Sequence, residues 1–243
     1  MPQSDKAVSD IVRSEKLREQ AAEIIDRYPP GRERSALLPL LHLVQSVEGY
    51  VSDDGISFCA EQLGITKAQV MAVSTFYTMY KRQPTGDWLV SVCTNTLCRS
   101  KGGQSIYDRL STELGVGHDE STADGKFTLE HAECLAACDY APVVTVNYEF
   151  FDDMDEESAV DLVRELREGN RPFPSRGAPL CTLKETQLIL AGFDDDRTPA
   201  IEANAQGDAT LAGARLAAEA GQSVSYGDPD SPLLSETEEA VSE

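Results

Sequence analysis

Four of the six cysteines stand in two close pairs, Cys93/Cys98 in CTNTLC and Cys134/Cys138 in ECLAAC, with 35 residues between the pairs. Such a pattern asks the fold to bring two short loops together, so that each supplies two thiolates to one centre. The spacings are C-x4-C and C-x3-C. Structural zinc knuckles favour the tighter C-x2-C, because one turn then directs both sulfurs at a single tetrahedral ion. Wider loops suit an iron–sulfur centre, where backbone N–H groups must point at several sulfurs as well as wrap the metal. Iron–sulfur is therefore the leading reading, and structural zinc competes with it. A disulfide framework fits poorly, since dense disulfides belong to small secreted scaffolds; the chain has 243 residues, and MPQSDKAVSD lacks the apolar stretch of a secretory leader. No C-x-x-C occurs, which disfavours thioredoxin-type dithiol exchange.

Charge divides the chain into three. Met1 to Thr85 carries 10 basic and 11 acidic residues, Gly86 to Leu180 carries 8 and 18, and Cys181 to Glu243 carries 3 and 13. The net charge of −21 argues against nucleic acid as a partner, because an acidic surface repels phosphates instead of releasing their counterions. No apolar run approaches the roughly 18 residues of a membrane span, so a cytoplasmic location is expected.

The first 80 or so residues read as helical. Ile11 to Arg27 has apolar residues at helical spacing and stops at Tyr28-Pro29-Pro30-Gly31. Ser35 to Val47 carries a broad Leu face of the kind a bundle buries, and Gly55 to Leu63 closes at Gly64. Thr66 followed by Gln69 predicts a capping box opening a helix to about Tyr80. LGITKAQV imitates the turn of a helix-turn-helix, but the helix after it offers only Lys67, Lys81 and Arg82 as cations, so DNA binding is set aside. The Leu-rich and aromatic faces, with Phe76, Tyr77 and Tyr80, exceed what a small bundle buries alone and make it a docking candidate.

From Trp88 the period changes. Trp88 to Val92 reads as a strand delivering Cys93, Gly103 to Leu114 as a helix, Phe127 to Leu129 and Val143 to Val146 as strands, and Glu156 to Arg167 as a closing helix. The order β, α, β, β, α describes an α/β domain with both cysteine pairs in loops at strand ends, where ligands usually sit. RPFPSRGAP reads as a linker. The expected organisation is a helical bundle over 1–85, the α/β domain over 86–180, and a mostly disordered acidic tail over 181–243, with at most a transient helix at Leu211 to Ala220.

Four thiolates leave an oxidised two-iron centre doubly negative and the reduced one triply negative. Glu133 and Asp139 beside the second pair should push its potential down, while Arg99 and Lys101 after Cys98 oppose that. Gly102 and Gly103 would let the first loop aim amides at sulfur, although an ordinary turn into a helix explains them equally well. A Rieske centre would need two histidines in close motifs, and no C-x-H is present. His131 is expected to be surface filler, and Cys59 and Cys181 free thiols. There is no G-x-G-x-x-G, no phosphate-binding loop and no hydrolytic triad, so the chain would need a partner to oxidise a nicotinamide.

The strings RSALLPLLHLVQSVEGYVS, LGITKAQVMAVSTFYTMY, CTNTLC and AECLAACDYAPVVTVN, in that order from about Tyr28 to Pro174, resemble the E subunit of bacterial respiratory NADH:quinone oxidoreductase. The resemblance implies an N-terminal helical bundle followed by a thioredoxin-like ferredoxin domain holding one 2Fe-2S cluster. Carried over residue by residue, the ligands fall on Cys93, Cys98, Cys134 and Cys138, each pair holding one iron. The role implied is a non-catalytic electron-transfer subunit. Its partners would be a subunit bearing FMN that oxidises NADH and a neighbouring iron–sulfur subunit, in the cytoplasm-facing arm of a membrane-bound complex. The corresponding subunit of a soluble NAD-linked hydrogenase or formate dehydrogenase is an alternative, and a zinc-stabilised interaction module is an alternative of another class. Two departures stand out: Ala136 occupies a position where the family usually has glycine, and the acidic tail lies outside the resemblance.

Overall fold

The structure, a computed structural model, describes residues 14–197 and 207–222. The chain divides into a unit over Met1–Ala205 and another over Gln206–Glu243.

Helix α1 (Glu15–Asp26) opens on Ser14, whose side chain accepts from the Leu17 amide, and buries Leu17, Ala21 and Ile24. A 3-10 turn at Glu33–Ala36 leads into α2 (Leu37–Glu48), which buries Leu37, Leu40, Leu41, Leu43, Val44, Gln45 and Glu48. Seven buried positions in twelve residues mean that α2 is enclosed on nearly every side, the mark of a central helix. Around it lie α3 (Asp53–Leu63) and α4 (Lys67–Phe76). The predicted capping box at Thr66 and Gln69 is present. However, α4 stops at Phe76, short of the predicted Tyr80, because Tyr77 turns to an extended conformation. That turn buries the Tyr80 ring and lets its hydroxyl donate to the Leu38 carbonyl at 3.0 Å.

The second half is a five-stranded sheet in the order β2-β3-β1-β4-β5, with β1 (Trp88–Cys93), β2 (Glu120–Ser121), β3 (Phe127–Ala132), β4 (Val144–Val146) and β5 (Glu149–Phe151). Strands β1 and β3 are parallel; the remaining pairs are antiparallel. Between β1 and β2 lie α5 (Thr96–Ser100) and α6 (Gly103–Leu114), and α7 (Glu156–Glu168) follows β5. The last two helices pack together and cover a core containing Val90, Val92, Ile106, Phe127, Leu129 and Val163. Every residue of β1 is buried, as expected of a central strand that forms a parallel pair. The α/β class is as expected, with β2 and β5 added at the sheet edges.

The largest difference from the sequence expectation falls at Cys181 to Arg197, a segment that composition places in the disordered tail. Helix α8 (Leu183–Leu190) is capped by a box in which the Thr182 and Glu185 side chains each bond the other's backbone. It packs on α2, and Ala191, Leu188 and Phe193 join the bundle core. The physical reason is the apolar breadth of α2, which α1, α3 and α4 do not fully cover. The expected break at 180/181 therefore does not mark the end of the ordered unit. Segments 198–206 and 223–243 of the expected tail, and residues 11–13 of the first expected helix, lie outside the described residues. In the second unit, α9 (Asp208–Glu219) is helical and has no buried residue.

Candidate metal centre

Parallel pairing of β1 with β3 aligns Cys93 with Ala132. The loop after each strand therefore leaves the sheet from the same end, at adjacent positions. The Cys93 amide donates to the Val143 carbonyl at 3.1 Å and the Thr94 amide to the Ala132 carbonyl at 3.2 Å, extending the ladder into the loop. Asn95 then caps α5 by accepting from the Thr96 amide at 2.8 Å, and α5 carries Cys98. Gly102 has a φ of 109°, and a Cβ on Gly103 would lie 2.5 Å from the Cys93 carbonyl oxygen. Glycine at 103 is thus needed for the close approach of α6 to the first cysteine loop.

The second loop contains Cys134, Ala136 at a φ of 59°, and a 3-10 turn over Cys138–Tyr140. The Ala136 amide donates to Cys134 Sγ at 3.4 Å, and the two thiols of this pair are 3.5 Å apart. An alanine therefore adopts the left-handed conformation that glycine would adopt without strain, and its amide still points at sulfur.

Side chains join the two loops. Asn95 Nδ2 donates to Glu133 Oε2 at 2.8 Å, and Lys101 Nζ donates to the Ala141 carbonyl at 3.3 Å. Cys93, Cys98, Ala137, Ala141 and Val143 form one small buried cluster, with Leu135 and Phe150 against it. Cys93 and Cys98 are buried, whereas Cys134 and Cys138 are exposed. The site thus has a dry side and a side open to approach.

Two of the thiols, Cys98 and Cys138, resist ionisation. Burial, and then the neighbouring Cys93 thiol, push the Cys98 thiol up to about 11. Cys138 is raised chiefly by its hydrogen bond with Cys134, and the charges of Cys134, Cys93 and Asp139 add to this. Cys138 of the second loop therefore lies close enough to Cys93 and Cys98 of the first for their charges to interact. Thiols gathered this way become thiolates when a cation compensates them, which is the behaviour of a metal-binding set. Among the described residues no three His, Cys, Asp or Glu side chains converge as a group for one ion; Cys134 and Cys138 stand together as a pair, their sulfurs 3.5 Å apart. Amides aimed at sulfur and a half-buried setting fit an iron–sulfur group.

The other sequence candidates lie apart from this arrangement. His131 stacks on His118 with ring centroids 3.9 Å apart and meets Tyr107 edge-on. Cys59 is fully buried in the bundle core, and Cys181 is buried beside Thr186. A cleft of about 660 Å³ is lined by Tyr80, Lys81, Glu130, His131, Cys134 and Leu135 among others. Sequence reasoning missed Asn95 as a tie between the loops. Its place ahead of a short helix was the available signal, but its partner Glu133 is distant in the chain.

A bundle followed by a mixed sheet with paired thiols at one end defines the class of thioredoxin-like α/β proteins that present a thiol centre at strand ends. The thioredoxin-like [2Fe-2S] ferredoxin model matches residues 21–167, and this chain belongs to that family. Membership makes the cofactor a 2Fe-2S cluster and resolves the choice between iron–sulfur and zinc. The chain is 57% identical over 202 residues to the NADH-quinone oxidoreductase E subunit of Mycobacterium tuberculosis, covering 83% of this chain and 79% of that protein. It is 37% identical over 150 residues to NADH-quinone oxidoreductase subunit 2 of Thermus thermophilus, covering 61% and 83%. Among solved structures, an NAD+-reducing [NiFe]-hydrogenase aligns with a TM-score of 0.49 and 16% identity, over 55% of this chain and 23% of the hydrogenase chain.

Proposed function

We propose that this chain is the 2Fe-2S electron-transfer subunit of an NADH:quinone oxidoreductase, with Cys93, Cys98, Cys134 and Cys138 as the cluster ligands. The observation that carries the assignment is 57% identity, over most of both chains, to a protein named as the E subunit of that enzyme. Support for the ligand set comes from the two cysteine loops, which leave the same end of parallel neighbouring strands and are tied by Asn95 to Glu133 and by Lys101 to the Ala141 carbonyl.

When bound, the cluster supplies a one-electron couple. The chain's own contribution is to bury one pair of thiols, leave the other at the surface, and direct the Ala136 amide at Cys134. The exposed pair offers a redox partner its approach, and Leu97, next to Cys98 in the chain, is 43% exposed. The electron partner in this reading is the FMN of a subunit that oxidises NADH, and an adjoining iron–sulfur subunit completes the surroundings. Association with the membrane would run through the complex; among the described residues no helix is long and apolar enough to cross a membrane.

The test is iron and sulfide analysis of the anaerobically purified full chain, with visible and low-temperature EPR spectra before and after dithionite. About two irons per chain and a signal appearing on reduction are expected. Cys134→Ser should weaken or abolish that signal while the bundle stays folded. Retention of the full native spectrum in this variant would remove Cys134 from the ligand set.

A further inference from the structure

Arg176 lies in the segment RPFPSRGAP, beyond the residues matched by the family model. Its guanidinium grips Asp152 with two parallel bonds, Nε to Oδ2 at 2.9 Å and Nη2 to Oδ1 at 2.8 Å. The same Nη2 reaches Asp139 Oδ1 at 3.4 Å, and Asp139 directly follows Cys138. The guanidinium carbon lies 5.5 Å from the Tyr140 ring centre and 5.4 Å from that of Phe150. The side chains of Arg176 and Asp152 are 16% and 12% exposed; that of Asp139 is 21% exposed, in a residue that is exposed as a whole.

The backbone fixes the arginine in place. Arg176 forms an antiparallel bridge with Phe150, the Ser175 amide donates to the Phe150 carbonyl at 2.8 Å, and Ser175 Oγ accepts from the Asp152 amide at 2.9 Å. Glu149 accepts from the Ala178 amide at 2.9 Å. The chain after the family domain is thus stitched to the edge strand β5, and that places a cation against the second cysteine loop.

We propose that Arg176 is a positioning residue for the cluster, holding the Cys134–Cys138 loop through Asp139 and Tyr140 and raising the reduction potential by offsetting the carboxylates beside Cys138. The inference rests on the ligand reading given above. Its electrostatic part follows from charge balance: reduction adds one electron to a centre that is already negative, so a nearby fixed cation favours the reduced form. Removing the guanidinium leaves Asp139 and Asp152 without that compensation. Lysine would keep the charge but lose the two-pronged grip and the planar contact with both rings.

The experiment is a redox titration of the full-length holoprotein followed by EPR, with iron content measured on each sample. In Arg176→Gln, the ratio of reduced to oxidised cluster at a fixed solution potential should fall about three- to tenfold; tenfold corresponds to 59 mV for one electron. Arg176→Lys should keep the ratio within about twofold of the parent while shortening cluster lifetime in air, separating charge from positioning. Asp139→Asn should move the ratio in the opposite direction. An unmoved ratio in Arg176→Gln at full iron content overturns the inference, as does Arg176→Lys shifting it as far as Arg176→Gln. If Arg176→Gln loses its iron, Asp139→Asn decides: a raised ratio supports the inference and an unmoved ratio overturns it. Failure of the ligand reading would instead appear as an unchanged 2Fe-2S spectrum in Cys134→Ser.

Discussion

Asn147 offers the most quantitative check on how the ordered unit is held together. It is 1% exposed and adopts a φ of 49°. Its Oδ1 accepts from the Leu89 amide at 2.8 Å, and its Nδ2 donates to the carbonyls of Asp87 at 2.9 Å and Cys181 at 2.8 Å. One side chain therefore joins the start of β1 to the segment that leads into α8. In Asn147→Ala, the Leu89 N–H and the Cys181 carbonyl lose this partner, whereas the Asp87 carbonyl still receives the Leu183 amide at 2.9 Å. An unpaired buried group costs about 1–3 kcal/mol, and alanine at positive φ adds about 1 kcal/mol. Two such groups and the strain sum to about 3–7 kcal/mol, a large share of the ~5–15 kcal/mol typical of a folded domain. Asn147→Asp should be worse near neutral pH, because it aims a carboxylate at two carbonyls. Protonation in acid would restore a donor to one of them and so narrow its deficit. Guanidinium unfolding followed by the fluorescence of Trp88, the sole tryptophan, measures both variants, with visible absorbance recorded to compare samples at equal cluster content. A loss below about 1 kcal/mol for Asn147→Ala, or wild-type stability of Asn147→Asp at neutral pH, would refute the reasoning.

Two further outcomes are expected. Burial lowers the pKa of His42 below its ordinary value of 6.5, and the Gln187 hydrogen bond at 2.5 Å opposes this only in part. The folded state then binds fewer protons than the unfolded state, so stability is fully present above about pH 6.5 and declines as pH falls towards the folded value. His42→Gln should flatten that decline in melting temperature, and an unchanged slope would remove His42 as its source. Truncation after Arg197 should leave cluster content and melting temperature unchanged, whereas truncation after Leu180 strips Leu183, Leu188 and Ala191 from the protein. The shorter chain should lose several kcal/mol, at roughly 25 cal/mol per Å² of apolar surface uncovered; equal melting of the two truncated proteins would show that α8 is dispensable.

Local signals are legible in the sequence wherever a residue's partner lies within a few positions. The Thr66/Gln69 box is one, and the helices over Gly103–Leu114 and Glu156–Glu168 follow to within a residue, since apolar spacing alone defines those faces. The TLKE string contains a capping box of the same kind, at Thr182 and Glu185. The acidic, alanine-rich composition around it masks that signal. Strands β2 and β5 span two and three residues, too short for a period of two to register. At the candidate site the four cysteines are legible from spacing, but the ties between their loops are not. Asn95 to Glu133 and Arg176 to Asp139 span 38 and 37 residues of sequence, and composition carries no trace of such pairings.

Those ties also change the electrostatic reading of the second cysteine loop. In the sequence, Glu133 and Asp139 flank the thiols as two equivalent negative charges. In the fold they differ: Glu133 accepts from the neutral Asn95 amide, while Asp139 shares the guanidinium of Arg176 with Asp152. Lys101, expected to act through its charge alone, also holds the Ala141 carbonyl and so fixes the backbone just beyond Cys138. The groups that set the field around the thiols are therefore the same groups that hold the two loops in register. A substitution at any of them should alter geometry and potential together. Only a charge-conserving partner, such as lysine for Arg176, can separate the two effects.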